Sequence, residues 1–394
     1  FNVVGTAGVD ALTVAANTDN VQALAGNDNI TLALTVTAPT GYVDGGDGTD
    51  TLITGTAAAT DISNLILSSV ESLTIGAVSP VTTSMTAAQY SGFTTITAAN
   101  ATDTLTLTTA GVASFGANAA GVAGFETVNL ANGTNTITFT GAEATLQAFN
   151  GGTGADSFTT TSANLANRTI TAGAGSDSLT VTNQLTTAFG VAATNSIEIY
   201  DLQGGINGVN LTGSNGAGVV YNVAGVSTAG STVILGTGGQ TVNSSTTGGV
   251  TYRANTGVDT FNLSTTAGTA AETLDFVTVA GSSTISAIDT VSNFKAVGAD
   301  QFKTGVAALT LNNLTIATAD TANLAAAIQT AATAAGAGLA LTTQAYYITV
   351  NAGTAAGVYA FQNVGASNTT VDATDVIVKL TGTVGAIAAG DFIV

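Results

Sequence analysis

The sequence predicts a mainly β protein: a right-handed parallel β-helix or β-roll solenoid, followed by a C-terminal β-rich region with one helix. Three observations predict it. Short runs alternate apolar residues with Thr, as in Thr104–Leu107 (TLTL), Thr136–Phe139 (TITF) and Leu179–Thr182 (LTVT). Gly/Asn/Asp clusters that favour tight turns separate these runs. One turn element, Gly-x-x-Gly-x-Asp-x-apolar, recurs irregularly along the chain.

That element occurs at Gly5–Leu12 (GTAGVDAL), Gly45–Leu52 (GGDGTDTL) and Gly151–Phe158 (GGTGADSF). Copies without the first Gly stand at Ala23–Ile30, Ala172–Leu179 and Ala254–Phe261. A second element is a short Glu-bearing strand, at Ser69–Ile75, Gly124–Leu130 and Ser196–Leu202. A coil of this kind cannot bury its apolar face alone, so neighbouring coils must stack on it. The Gly-, Ser- and Thr-rich section Leu211–Leu263 reads as further coils, and residues 1–275 as the solenoid. Residues 276–394 read as the C-terminal region. There Asp320–Ala335 is rich in helix formers, with Leu324 and Ile328 four apart and Asp320 or Thr321 as the cap.

Composition narrows the function. There are 24 acidic residues against five basic ones, Arg168, Arg253, Lys295, Lys303 and Lys379, for a net charge of −19. Five scattered cations cannot neutralise a nucleic-acid backbone or dock on anionic lipid. Cys is absent, so no disulfide holds the turns. His is absent too, which removes Ser-His-Asp triads and HExxH zinc sites from this chain. No apolar run reaches spanning length, so no direct membrane insertion is expected. The expectation is a protein that is not an enzyme. The chain starts at Phe1, which reads as a processed or partial chain.

The acids are mostly Asp, 19 of the 24. Asp forms turns and is a good oxygen ligand for calcium. In Gly45–Ile53, Gly46 and Gly48 let the turn tighten so that its carbonyls converge, and Asp50 adds a carboxylate. Asp44, Asp47 and Asp50 make the densest anionic cluster. Gly152, Gly154 and Asp156 repeat the turn, as do Gly175 with Asp177, and Asp10, Asp28 and Asp259 in the other copies. Calcium takes six to eight oxygens and one turn offers about half that shell, so adjacent turns must share each ion. Asp10 and Asp28 are 18 residues apart, Asp28 and Asp50 22, and Asp156 and Asp177 21, which predicts few, separated sites. The competing reading makes these plain β-helix corners in which Asp caps its own turn. Glu71, Glu126 and Glu198 read as charges facing solvent on edge strands, with metal ligation as the alternative.

Gly45–Ile53 and Gly151–Thr159 match the calcium-binding nonapeptide and resemble the RTX (repeats-in-toxin) secreted proteins. Ile285–Asp300 (ISAIDTVSNFKAVGAD) is similar to the stretch that follows such repeats. The tail Tyr346–Val394, with Asp375–Gly382 (DVIVKLTG) and the ending DFIV, resembles the type I secretion region of Gram-negative surface-layer proteins. The resemblance implies a secreted, calcium-binding protein that assembles with itself into a lattice on the cell surface. It also implies a polysaccharide-anchoring domain, and none is seen here. Two other readings stay open: an RTX adhesin or biofilm-matrix protein, and the C-terminal RTX part of a secreted enzyme.

Overall fold

In the computed structural model the chain forms stacks of parallel β-coils. The structure describes residues 3–33, 38–55, 59–76, 80–98, 102–116, 122–123, 125–141, 148–165, 168–186, 196–208, 210–212, 217–228, 230–265, 271–277, 283–296, 300–305, 307–308, 310–336, 339, 344–364, 370–372, 374–382 and 385–394. The chain divides into two compact units, residues 1–180 with 195–197, and residues 181–194 with 198–394.

In the first unit, Val3–Val4, Val21–Gln22, Tyr42–Asp44 and Ile66–Ser68 lie side by side in one parallel sheet. A second sheet stacks Ala11–Val14, Asn29–Leu32, Thr51–Ile53, Ser72–Thr74 and Thr95–Thr97. A third stacks Ala59–Asp61, Thr82–Met85, Asp103–Leu107, Phe125–Asn129, Ala148–Asn150 and Thr169–Thr171. Val112–Phe115, Thr136–Phe139 and Ser157–Thr160 belong to a fourth.

Pairing in the second sheet runs Ala11–Asn29–Thr51–Ser72–Thr95, so successive coils are 18, 22, 21 and 23 residues long. The strands keep one register while the connections vary. Side chains alternate across a strand, so one column, Ile30, Leu52, Leu73 and Ile96, is fully buried. The next column outward is Thr13, Thr31, Ile53, Thr74 and Thr97. Farther along, Tyr90, Phe115, Phe139 and Phe149 fill the interior, with ring centroids 4.7–6.2 Å apart. Each such ring contributes about 1.5–3 kcal/mol by leaving water.

Among the described residues the second unit has two sheets. One continues Ile199–Leu202, Val220–Gly225, Thr241–Thr246, Thr260–Asn262 and Asp289–Ser292 in parallel. The other stacks Asn210–Thr212, Ser231–Ile234, Val250–Arg253, Thr273–Asp275 and Gln301–Lys303. Parallel coils thus run past residue 275. The chain then departs through Thr310–Ile316, a 3-10 turn Thr321–Asn323 and the helix Leu324–Ala334 to Gln344–Val350, which pairs in parallel with Thr310–Ile316. Gly357–Gln362 and Val376–Thr381 follow in antiparallel order. Val376–Thr381 then rejoins Asp289–Ser292, and Phe392–Ile393 rejoins Gln301–Lys303. After its last parallel coil, each coil sheet therefore takes on a strand from farther along the chain.

The helix lies where the sequence predicts it. Leu324 and Ile328 are buried against Leu314, Tyr346, Ile348 and Phe361. Asp320 stands before the first turn, but its carboxylate holds Thr354 instead, with Oδ1 accepting from Thr354 N at 2.9 Å. No helix among the described residues is long and apolar enough to cross a membrane.

Candidate site at the coil corners

The acids of the repeated turns occupy one kind of place. Each stands two residues before a buried apolar residue, as in Asp28-Asn29-Ile30, Asp50-Thr51-Leu52 and Asp156-Ser157-Phe158. In extended chain, positions i and i+2 share a face. The carboxylate is therefore carried inward at the corner, just before the strand begins. There it meets the backbone of the preceding coil.

The result is a ladder of carboxylates. Asp28 Oδ1 accepts from Asp10 N, Asp50 Oδ1 from Asp28 N and Glu71 Oε2 from Asp50 N, each at 2.8 Å. At another corner Asp103 Oδ1 accepts from Val81 N at 2.9 Å and Glu126 Oε2 from Asp103 N at 2.7 Å. Asp156 Oδ1 accepts from Asn135 N and Nδ2 at 3.0 and 2.8 Å, and Asp177 Oδ1 from Asp156 N at 2.7 Å. In the second unit Asp259 Oδ1 accepts from Gln240 N at 2.9 Å and Asp289 Oδ1 from Asp259 N at 2.7 Å. These are charge-assisted lengths, and each bond supplies an acceptor to a buried N–H that has left its sheet ladder.

The glycines of the motif have separate tasks. A Cβ on Gly45 or Gly151 would fall 2.5–2.7 Å from Oδ2 of Asp50 or Asp156. Nearer still is the backbone of the next coil, with the carbonyl oxygens of Ser69 and Ala172 at 1.9 and 1.7 Å, so at these two corners the close approach of the neighbouring backbone calls for Gly. Ala23, Ala172 and Ala254 stand at the first motif position in the weaker copies. The fourth position turns the chain: Gly48 and Gly154 have φ of +141° and +130°, a region closed to most side chains. Gly46 lies against the Leu24 carbonyl and Gly175 against that of Gly154. Gly152 accepts from Ala174 N at 3.1 Å.

Asp10 differs from the deeper acids. It is half-buried, and its Oδ2 accepts from Thr6 N and Oγ1 at 2.6 and 3.0 Å. Asp44 is half-buried and Asp47 exposed, so of the three clustered acids only Asp50 enters the interior. Glu71 and Glu126, read from sequence as solvent-facing charges, are ladder members, because a Glu at the same corner reaches the same N–H. Asp103, Asp289 and Asp300 were not singled out by the turn motif. The signal that finds them is simpler, acid-x-apolar at a strand start: Asp103-Thr104-Leu105, Asp289-Thr290-Val291 and Asp300-Gln301-Phe302.

The fit to calcium rests on the donor set. Among the described residues no three acids come together to hold a metal ion. The turn carbonyls of Leu24, Asp47, Thr153 and Ala174 already accept N–H groups of neighbouring coils. The ladder does leave the Oδ2 atoms of Asp28, Asp50, Asp156 and Asp259 buried without a hydrogen bond. A buried carboxylate oxygen in that state favours a proton or a cation. Burial pushes the Asp50 carboxyl up, the Asp28 backbone N–H holds it down, and the charges of Asp28, Glu71 and Asp44 push it up again. Burial raises Asp259 to about 6 against the backbone N–H groups that hold it down. It raises Asp289 to about 8, with the Asp259 charge adding to it.

No family model, no curated protein and no solved structure matches this chain.

Proposed function

We propose that the chain is a structural component of a bacterial cell exterior, a secreted protein of the surface-layer type that assembles with itself and is stabilised by calcium. The observation that carries this reading is the carboxylate ladder: acids are spent on joining coil to coil. Calcium would be held by the second oxygens of Asp28, Asp50, Asp156 and Asp259, with Asp44 and Asp47 on the outer side of the third turn. Bound there, it would stabilise the folded chain by mass action.

The outward columns support lateral association. Thr82, Thr104 and Thr127 stand in register, as do Ser84, Thr106 and Asn129. Such rows present hydroxyls and amides to a neighbour in a chain that carries −19 overall. The RTX adhesin reading shares the fold and the cation but binds another cell instead of tiling.

Electron microscopy and light scattering in millimolar calcium, then in chelator, test the proposal. Ordered sheets or filaments that dissolve on chelation are expected. A particle indifferent to calcium would leave the ladder as a purely structural device and overturn the calcium reading.

A further inference from the structure

The sheet that takes up the C-terminal strands stops on an open edge. Its last strand among the described residues is Thr310–Ile316, paired on one side only, in parallel with Gln344–Val350 and without a shift of register. Ile316 O accepts from Asn351 N at 2.9 Å, so the backbone groups of Ile316 face the paired strand. These groups alternate along a strand, so those of Leu311, Asn313 and Thr315 point away from it, where no described strand lies. Native proteins blunt such an edge with charge, proline, a bulge or brevity. This one is seven residues long, TLNNLTI, and has no charge, proline or bulge.

The surroundings of the edge favour a second copy of the same chain as its occupant. From Thr304 to Val371 one residue is charged, Asp320, in a chain of net −19. Two copies therefore repel each other least through this stretch. The strand is also complementary to itself. Antiparallel pairing about Asn313 sets Asn313 opposite its own counterpart and Leu311 opposite Thr315 of the second copy. These are the residues whose backbone groups face outward, and each such pair exchanges two hydrogen bonds. Asn312 lies on the face of Leu314, which the helix Leu324–Ala334 covers, and its Nδ2 is buried without a hydrogen bond. Diagonally across in this register stands Asn312 of the second copy, whose amide oxygen is an acceptor of the kind it lacks. An uncharged groove of about 380 Å³ between strand and helix, lined by Ile316, Thr318, Ala327, Thr330, Ala331 and Ala334, leaves room beside the edge.

We propose that Thr310–Ile316 is a joint between two copies of this chain, paired antiparallel about a twofold axis at Asn313, so that one sheet continues from copy to copy. The joint needs no calcium, because no acid takes part, and it does not rest on the surface-layer reading.

Sedimentation in chelator over a range of concentrations should give twice the 38.2 kDa of one chain. Asn313 is exposed, and Asn313→Lys sets like charges opposite each other at the axis. It should weaken the dimer at least about tenfold while the far-ultraviolet circular dichroism stays unchanged. The chain has no Cys, so single thiols read the register. Asn313→Cys should form a disulfide-linked pair under mild oxidation, since its two Cα atoms would lie about 5.5 Å apart. Thr315→Cys should not, since its counterparts would lie about 13 Å or more apart along the strands. A single-chain mass at every concentration would assign the edge to another occupant and overturn the joint. So would a dimer that survives Asn313→Lys, or linkage through Thr315→Cys as fast as through Asn313→Cys. Every arm is read in chelator, so these results leave the calcium reading untouched.

Discussion

At a coil corner the backbone N–H just before the strand is met by a carboxylate of the next coil instead of a sheet carbonyl. Asp156 meets this need for Asn135, taking both the backbone N–H and the side-chain amide. Replacing Asp156 by Ala removes the acceptor of the buried Asn135 N–H, while the Asn135 amide keeps the carbonyls of Ala131 and Gly133. A loss of about 1–3 kcal/mol in urea unfolding is expected from that one orphaned donor. Asp156→Asn keeps one oxygen in place and should lose less than half of that in chelator. If calcium binds the second oxygen, the Asn variant should fall further behind in calcium, a difference that the same urea titrations would read. Gly151→Ala tests the other half of the motif. Its Cβ would meet Asp156 Oδ2 and the Ala172 carbonyl, and a destabilisation of about 1–3 kcal/mol is expected from that overpacking. These residues were legible as a motif, but the motif does not tell a metal site from a backbone cap. Both uses need a small residue, a turn and an Asp in the same order.

Among the elements, the strands were legible because alternation carries its own period. The TITF run is the strand Thr136–Phe139, and TLTL falls within Asp103–Leu107. The helix was legible too, through Leu324 and Ile328 on one face. Ile328→Ala should therefore cost about 2–4 kcal/mol through lost packing against the strands beneath, with little change in helix propensity. A denaturation midpoint that does not move would show that the helix is held by its ends instead. The short helix Ala87–Gly92 went unread, though its capping box, Thr86 with Gln89, is written in the sequence. Six residues carry too little periodicity to stand out from a turn.

For the molecule as a whole, 24 acids against five bases would suggest a surface crowded with charge, yet many of the acids are buried. That makes the fold sensitive to protons. Asp289, raised to about 8, is neutral in the folded chain across a range where it ionises once unfolded. The folded state then binds the extra proton, so this carboxyl lowers stability progressively as pH climbs from about 4 to about 8. Thermal midpoints of the second unit, followed in chelator, should fall over that interval, and Asp289→Asn should flatten the decline. A midpoint that rises with pH would contradict the burial of this acid.

The sequence by itself determined the coil: alternation sets the strand, Gly and Asp set the corner, and acid-x-apolar places a carboxylate inward. These are local properties, decided within a few residues by backbone geometry. Only the tertiary structure decided what each carboxylate meets, because its partner lies 18 to 30 residues away along the chain. It likewise decided how the stack ends, with Val376–Thr381 beside Asp289–Ser292 and Phe392–Ile393 beside Gln301–Lys303. A strand's pattern shows that one face must be buried, whereas which edge it joins depends on the hydrogen bonds that the rest of the chain has left open.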